Sequence, residues 1–201
     1  MALGSGLASF AGYAVASFFP SFLVRSHGMS LTEVGIYMGL VIGIGGGLGY
    51  AGGGFIADKV ARRSKKHSLW FVSLGTMFAW FFGFPIYLLD NQYIVLALLI
   101  VPAIFSNFYL ATTIAQTQSL VRLRMRAVAS AILLFILNII GLGLGPQLTG
   151  ILSDVLSQYF ANDSMRYSLL IVVSVAYPWT ALHFYIAGKS LSADLKRVDE
   201  D

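Results

Sequence analysis

The stretch Gly54-Phe55-Ile56-Ala57-Asp58-Lys59-Val60-Ala61-Arg62-Arg63 sets a carboxylate four residues ahead of a guanidinium at the end of a long apolar run. If the helix continues through it, Asp58 and Arg62 lie one turn apart and pair. A carboxylate at a membrane face also pairs with the N-terminus of a neighbouring helix. The chemistry available here is a reversible electrostatic latch, able to hold two helices together in one state and release them in another. A simple basic loop accounts for Arg62 and Arg63 but not for Gly54 and Asp58. The pattern also recurs: ninety-six residues on, Gly45, Gly47, Gly49, Gly54 and Asp58 fall on Gly141, Gly143, Gly145, Gly150 and Asp154.

A second set of residues can make hydrogen bonds where few such groups occur. At a helical rise of about 1.5 Å per residue, Asn138 lies about 18 Å beyond Arg126, near the centre of a ~30 Å hydrocarbon layer. The same count makes Tyr13, Tyr50, Asn107 and Tyr109 central. An amide at that depth is costly unless it faces a partner or water, so Asn107 and Asn138 are the sharper candidates for solute contact. Hydrogen bonding between helices is the equal alternative for each of them. His183 is the other deep polar group and is expected to be a packed, neutral histidine.

These side chains must be positioned by membrane helices. Hydrophobic residues make up 57% of the 201, charged residues 11%, and mean hydropathy is +0.78. That balance excludes an ordinary soluble domain. Charges leave uncharged runs at 1–24, 34–57, 68–89, 91–121, 127–153 and 167–188, each long enough to cross a bilayer, which takes about 20 apolar residues. The fold class expected is an all-α membrane protein, a single bundle of six helices at about 4–25, 31–57, 68–89, 92–120, 127–155 and 166–188, followed by a tail at 189–201. The first run has no basic residues before it, so it is expected to be a membrane helix and not a cleaved leader.

Lys59, Arg62, Arg63, Lys65, Lys66, Arg122, Arg124, Arg126, Lys189, Lys196 and Arg197 fall on one side, and only Arg25 and Arg166 on the other. The positive-inside rule then puts both termini in the cytoplasm of a cell held by its plasma or inner membrane. The net charge of +4 reflects that topology and calls for no nucleic-acid partner. The basic loops are expected to meet anionic membrane lipid, at about 1 kcal/mol per side chain. Because the repeated unit has three helices, its second copy enters the membrane upside down, giving a 3+3 inverted repeat. Repeats of this kind are characteristic of secondary transporters.

Several chemistries are closed off. The chain has no cysteine, hence no disulfide or thiolate, and no cofactor or metal ligand set is expected. Gly47-Leu48-Gly49-Tyr50-Ala51-Gly52 satisfies G-x-G-x-x-G, but it lies inside an apolar run and Val72 stands where the acid should be. Gly43/Gly47, Gly45/Gly49, Gly49/Gly53 and Gly141/Gly145 are better explained as small-xxx-small pairs that let helices approach closely. Each of Pro20, Pro85, Pro102, Pro146 and Pro178 falls in a different helix and bends it. An intramembrane hydrolase built on Ser5 and His183 fails because nucleophile and base must share one depth. No catalytic residue is assigned.

The motif loop resembles the G-x-[LI]-[AS]-D-[RK]-x-G-R-[RK] signature of the major facilitator superfamily, with Ala61 in place of the second glycine. Arg124 to Ala127, Ala129 to Ile132, Asn138 to Pro146 and Gly150 to Asp154 are similar to the eleventh helix and preceding loop of Spinster-like members. Phe19 to Gly28 is similar to their seventh helix and the loop after it. The resemblance covers nearly the whole chain as the second half of a twelve-helix transporter. It implies that helices one, two, four and five line a midplane cavity and that an N-terminal six-helix half is the missing partner. It further implies alternating-access transport of a small amphipathic or neutral solute; Asp154, about 42 Å along its helix from Arg126 by helix rise, is a candidate gate or cap at the outer face. A six-helix subunit that dimerises into a transporter is the alternative organisation.

Overall fold

A computed structural model of the chain describes residues 1–200; the side chains of Asp58, Arg63, Ser192, Ala193 and residues 196–200 lie outside the described residues. Five apolar helical runs are long enough to cross a membrane, and the last, Leu123–Leu191, covers 69 residues and turns back on itself. The passes are α1 (Ala2–His27), α2 (31–63), α3 (Lys65–Gly83, continued by a 3-10 turn at Phe84–Leu88), α4 (92–119), α5 (126–160) and α6 (Ser164–Glu200).

The connections follow from local chemistry. Gly28 closes α1 in the left-handed conformation, with φ 66°, which glycine adopts without steric cost. Ser30 then opens α2 through a capping box with Glu33. Asn91 caps α4 by accepting from Tyr93 and Ile94. Between α5 and α6 the chain turns at Ala161, whose φ of 43° is unusual for a residue with a Cβ.

The helix ends depart from expectation where polar residues continue an apolar helix. Neither Asp58 nor Asp154 ends its helix: α2 runs on through Arg63 and α5 through Phe160. The expected tail at 189–201 is helical through Glu200, because nothing between Lys189 and Glu200 is a glycine or proline. Conversely, α4 is two pieces, Gln92–Phe105 and Phe108–Ser119. Pro102 sits in the first of these, and the amide of Asn107 donates to the Ala103 carbonyl at the break, 2.7 Å away.

Two π-helical segments, Val41–Gly46 in α2 and Ile139–Leu144 in α5, occupy nearly equivalent places in the two halves of the chain. The glycines around them set the packing. A Cβ on Gly49 would lie 2.5 Å from the Ile104 carbonyl oxygen of α4, and one on Gly145 would lie 2.6 Å from the Phe10 carbonyl oxygen of α1. Gly45 meets Ala103 of α4, and Gly141 meets Ser9 and Tyr13 of α1. Thus α2 closes on α4 while α5 closes on α1, the exchange of partners between halves that inverted copies produce. Gly43 and Gly47, in contrast, have nothing within 4 Å and are not packing positions. They lie on another side of α2 from Gly45 and Gly49, so small size at four-residue spacing is present there without a helix to receive it.

Polar hydrogen bonds stitch the remaining pairs, as membrane interiors require. Ser5 donates to Thr113 (3.0 Å), Ser9 to the Leu137 carbonyl (3.0 Å), Gln116 to Ser68 (3.0 Å) and Ser73 to the Ala181 carbonyl (2.7 Å). The main apolar cluster gathers Phe19, Phe22 and Leu23 of α1 with Ile86, Val95 and Leu169.

At one end of the bundle Arg166 ties the loops together. Its guanidinium reaches Asp90 at 3.0 Å and Asp163 at 3.4 Å and lies over the Phe22 ring; its side chain is 11% exposed, against 89% for Asp90. Breaking such a contact costs most when the charge left behind is the buried one. Removing both acids in Asp90→Ala/Asp163→Ala should therefore cost about 2–3 kcal/mol, while Arg166→Met, which leaves two solvated carboxylates, should cost under about 1 kcal/mol. Thermal unfolding of the purified protein checks the order, and equal losses would refute it.

Candidate functional site

The bend in α4, the close approach of α5 to α1 and the π-helical turn of α2 leave a cavity of about 390 Å³ between these four helices. Tyr13, Tyr50, Asn107, Tyr109 and Asn138 all line it. They do not stand at one level of burial. Asn107 and Tyr109 are half-buried, whereas Tyr13, Tyr50 and Asn138 are exposed toward the open side. Asn138 donates to the Leu134 carbonyl of its own helix at 2.8 Å, as Asn107 does to Ala103. Each amide so spends one donor locally, and among the described residues neither makes a hydrogen bond to another helix. The carbonyl oxygen of each amide remains to accept from a solute.

Three further polar residues line the cavity: Ser9, Ser106 and Tyr177. Ser9 lies four residues from both Ser5 and Tyr13, a helical spacing that puts the three on one side of α1. Its hydroxyl donates to the Leu137 carbonyl of α5 at 3.0 Å. Tyr177 belongs to α6, a helix outside the four that the resemblance assigns to the cavity. Beside Pro178 in an apolar run, it carried a signal only in being a tyrosine at that depth. Among the described residues no Asp, Glu, Lys, Arg or His lines the cavity. The wall offers hydroxyls, two amides and aromatic faces over an aliphatic floor, chemistry that binds by apolar burial and a few directed hydrogen bonds.

The residues expected from the sequence to form a gate stand apart. Arg62 is exposed, but its partner Asp58, with Arg63, lies outside the described side chains, so their pairing is not described. A Cβ on Gly54 meets nothing, and one on Gly150 meets the Phe18 ring at 3.5 Å. Asp154 is exposed two turns before the end of α5. Pro146 stands in the first turn after the π-helical segment, where it removes one backbone donor from the continuing helix. Gly4 packs on His183, so Ser5 and His183 are closer in depth than the sequence implies. Even so, Ser5 donates to Thr113 and the His183 ring meets the Trp179 carbonyl at 3.0 Å, which leaves no nucleophile and base joined. Among the described residues there is no group of acids and histidines able to hold a metal ion.

No family model matches the chain. An MFS-type efflux pump of Mycolicibacterium smegmatis (strain ATCC 700084 / mc(2)155) is 32% identical over 192 residues, which are 96% of this chain and 44% of that protein. A bacterial homologue of the human lysosomal transporter Spinster, solved in inward-facing occupied and inward-facing unoccupied conformations, shares 24% identity over 96% of this chain. The TM-scores are 0.80 and 0.84, and the matches cover 49% and 47% of those chains. The chain thus spans about half the length of the proteins it matches. Those proteins are transporters, a non-enzymatic class. With its six passes, glycine-packed helices and central cavity, the chain has the major facilitator fold and fits its C-terminal half.

Proposed function

We propose that this chain supplies one wall of the solute cavity of a secondary transporter working by alternating access, the other wall coming from an N-terminal six-helix half. The observation that carries this is the cavity itself: five polar and aromatic side chains, drawn from four helices and two halves of a repeat, line one uncharged space. The open glycines Gly35 and Gly39 on α2 support the missing half, since they offer a second bundle a close approach. The absence of fixed charge favours a neutral solute or the apolar part of an amphipathic one, and the Spinster-like resemblance favours a lysolipid-like molecule. The distribution of basic residues supports cytoplasmic termini in a plasma or inner membrane.

On this reading, binding and state interchange belong to different residues. Asn138→Ala removes a hydrogen-bonding group at the cavity and should weaken solute binding by about 10-fold, the worth of one directed hydrogen bond. Asp58→Asn removes a charge at the end of the bundle and should slow transport while leaving affinity within about 2-fold. Equilibrium binding and transport of a fluorescent lysophospholipid, measured on the full-length transporter, separate the two. Loss of binding in Asp58→Asn, or unchanged affinity in Asn138→Ala, would refute the division.

A further inference from the structure

The two ends of the α3–α6 pair are built differently. At one end Asp90 and Arg166 close it with an ion pair. At the other, two lysines converge on one aromatic stack: Lys66 Nζ lies 4.1 Å from the centre of the Trp70 ring, and Lys189 Nζ lies 4.5 Å from that of Tyr185. Trp70 and Tyr185 themselves stack at 5.6 Å with their planes 25° apart. The stack is held in place, because Trp70 donates from Nε1 to the Tyr185 carbonyl at 3.2 Å. Gly188 makes the room: a Cβ there would lie 2.5 Å from Trp70 Cδ1 and Nε1. His67 adds an edge contact to Trp70 at 5.5 Å.

Two like charges gathered on one fixed platform need a counter-charge. Among the described residues neither lysine makes an ion pair. The platform lies where the helices leave the apolar layer, the level at which tryptophan and tyrosine mark a membrane interface. It is separate from the solute cavity, whose lining includes none of Trp70, Tyr185 and the two lysines. Toward the middle of the membrane the same pair of helices presents exposed apolar side chains, Leu74 and Phe81 on α3 and Leu182 and Ile186 on α6. A basic, aromatic cradle above exposed apolar side chains matches the chemistry of a phospholipid: anion at the top, acyl chains below.

We propose that Lys66, Trp70, Tyr185 and Lys189 form a binding site for the phosphate headgroup of an anionic membrane phospholipid, seated on the outer face of the α3–α6 pair. The two ammonium groups pair with the phosphate while the aromatic rings hold the lysine stems. The chains lie along Leu74 and Leu182. The proposal depends on the chain being membrane-embedded and not on any transported solute, so it stands or falls separately from the cavity.

Native mass spectrometry of the purified protein in micelles containing phosphatidylglycerol and phosphatidylcholine tests it. The wild type should retain phosphatidylglycerol at least about 10-fold better than phosphatidylcholine. Lys66→Gln/Lys189→Gln should lose that preference, a change of about 10- to 30-fold for two lysines. Lys66→Arg/Lys189→Arg should keep it, which shows that loss in the glutamine variant is not misfolding. Lys65→Gln/Arg124→Gln removes the same charge from the same side of the bundle but outside the cradle, and should retain the preference. An equal loss in that control, no preference in the wild type, or full displacement by millimolar glycerol 3-phosphate would overturn the proposal; the last outcome would assign the cradle to a soluble phosphate.

Discussion

Gly49→Ala and Gly145→Ala are each expected to destabilise the bundle by about 1–3 kcal/mol, the usual range for overpacking a filled contact. Gly47→Ala and Gly143→Ala, two residues away in each case, should be neutral within about 0.5 kcal/mol or slightly stabilising, since alanine is the better helix former. All four lie in the same glycine-rich segments and occupy matched positions in the two halves of the chain. Only their surroundings differ. A methyl group on Gly49 or Gly145 runs into a backbone carbonyl oxygen of the facing helix, at 2.5 and 2.6 Å, and a backbone cannot rotate aside as a side chain does. One on Gly47 meets nothing, and one on Gly143 meets only the Asn138 carbonyl of its own helix at 3.9 Å. Because Gly49 and Gly145 act on different helix pairs, Gly49→Ala/Gly145→Ala should lose close to the sum, about 2–6 kcal/mol out of a typical 5–15. Thermal unfolding followed by size-exclusion of the soluble fraction measures this. Similar losses at all four positions would show that glycine is required there for helix flexibility and not for close approach.

The largest functional effect is expected from Gly12→Phe. Gly12 lines the cavity, and a Cβ built on it has nothing within 4 Å. A benzyl group there grows into open space, so folding is spared while much of a space of about 390 Å³ is filled. Transport of a fluorescent lysophospholipid by the full-length protein should fall at least about 10-fold, because a pocket of this kind binds by burying most of its ligand's surface. Gly12→Ala should stay within about 2-fold of wild type. Normal transport by Gly12→Phe with the cavity filled would mean that solute passes elsewhere, and the role assigned to Tyr13, Asn107 and Asn138 would go with it.

How much of this was legible beforehand depends on what each feature rests upon. The membrane class and the number of passes rest on charge-free runs of about 20 residues, and the energetics of a backbone in hydrocarbon leave little choice but helices. The repeat rests on Gly45, Gly49, Gly54 and Asp58 matching Gly141, Gly145, Gly150 and Asp154. Helix ends were less legible. An apolar count stops at the first charge, whereas a helix stops only where its hydrogen bonds do, so α2, α5 and α6 all run beyond it.

The chain's own residue order was thus enough to set its solvent and its repeated architecture, because each is a local or one-dimensional property. Direction is different. Whether Gly47 or Gly49 meets another helix turns on a rotation of about 100° per residue, altered here by π-helical turns that glycine-rich stretches permit but do not announce. The same holds for Asn107 and Asn138. Both amides were visible as costly groups in an apolar run. Only the tertiary packing, with α4 broken behind Pro102 and α5 drawn against α1, decided that they line one space together with Ser9 of α1 and Tyr177 of α6.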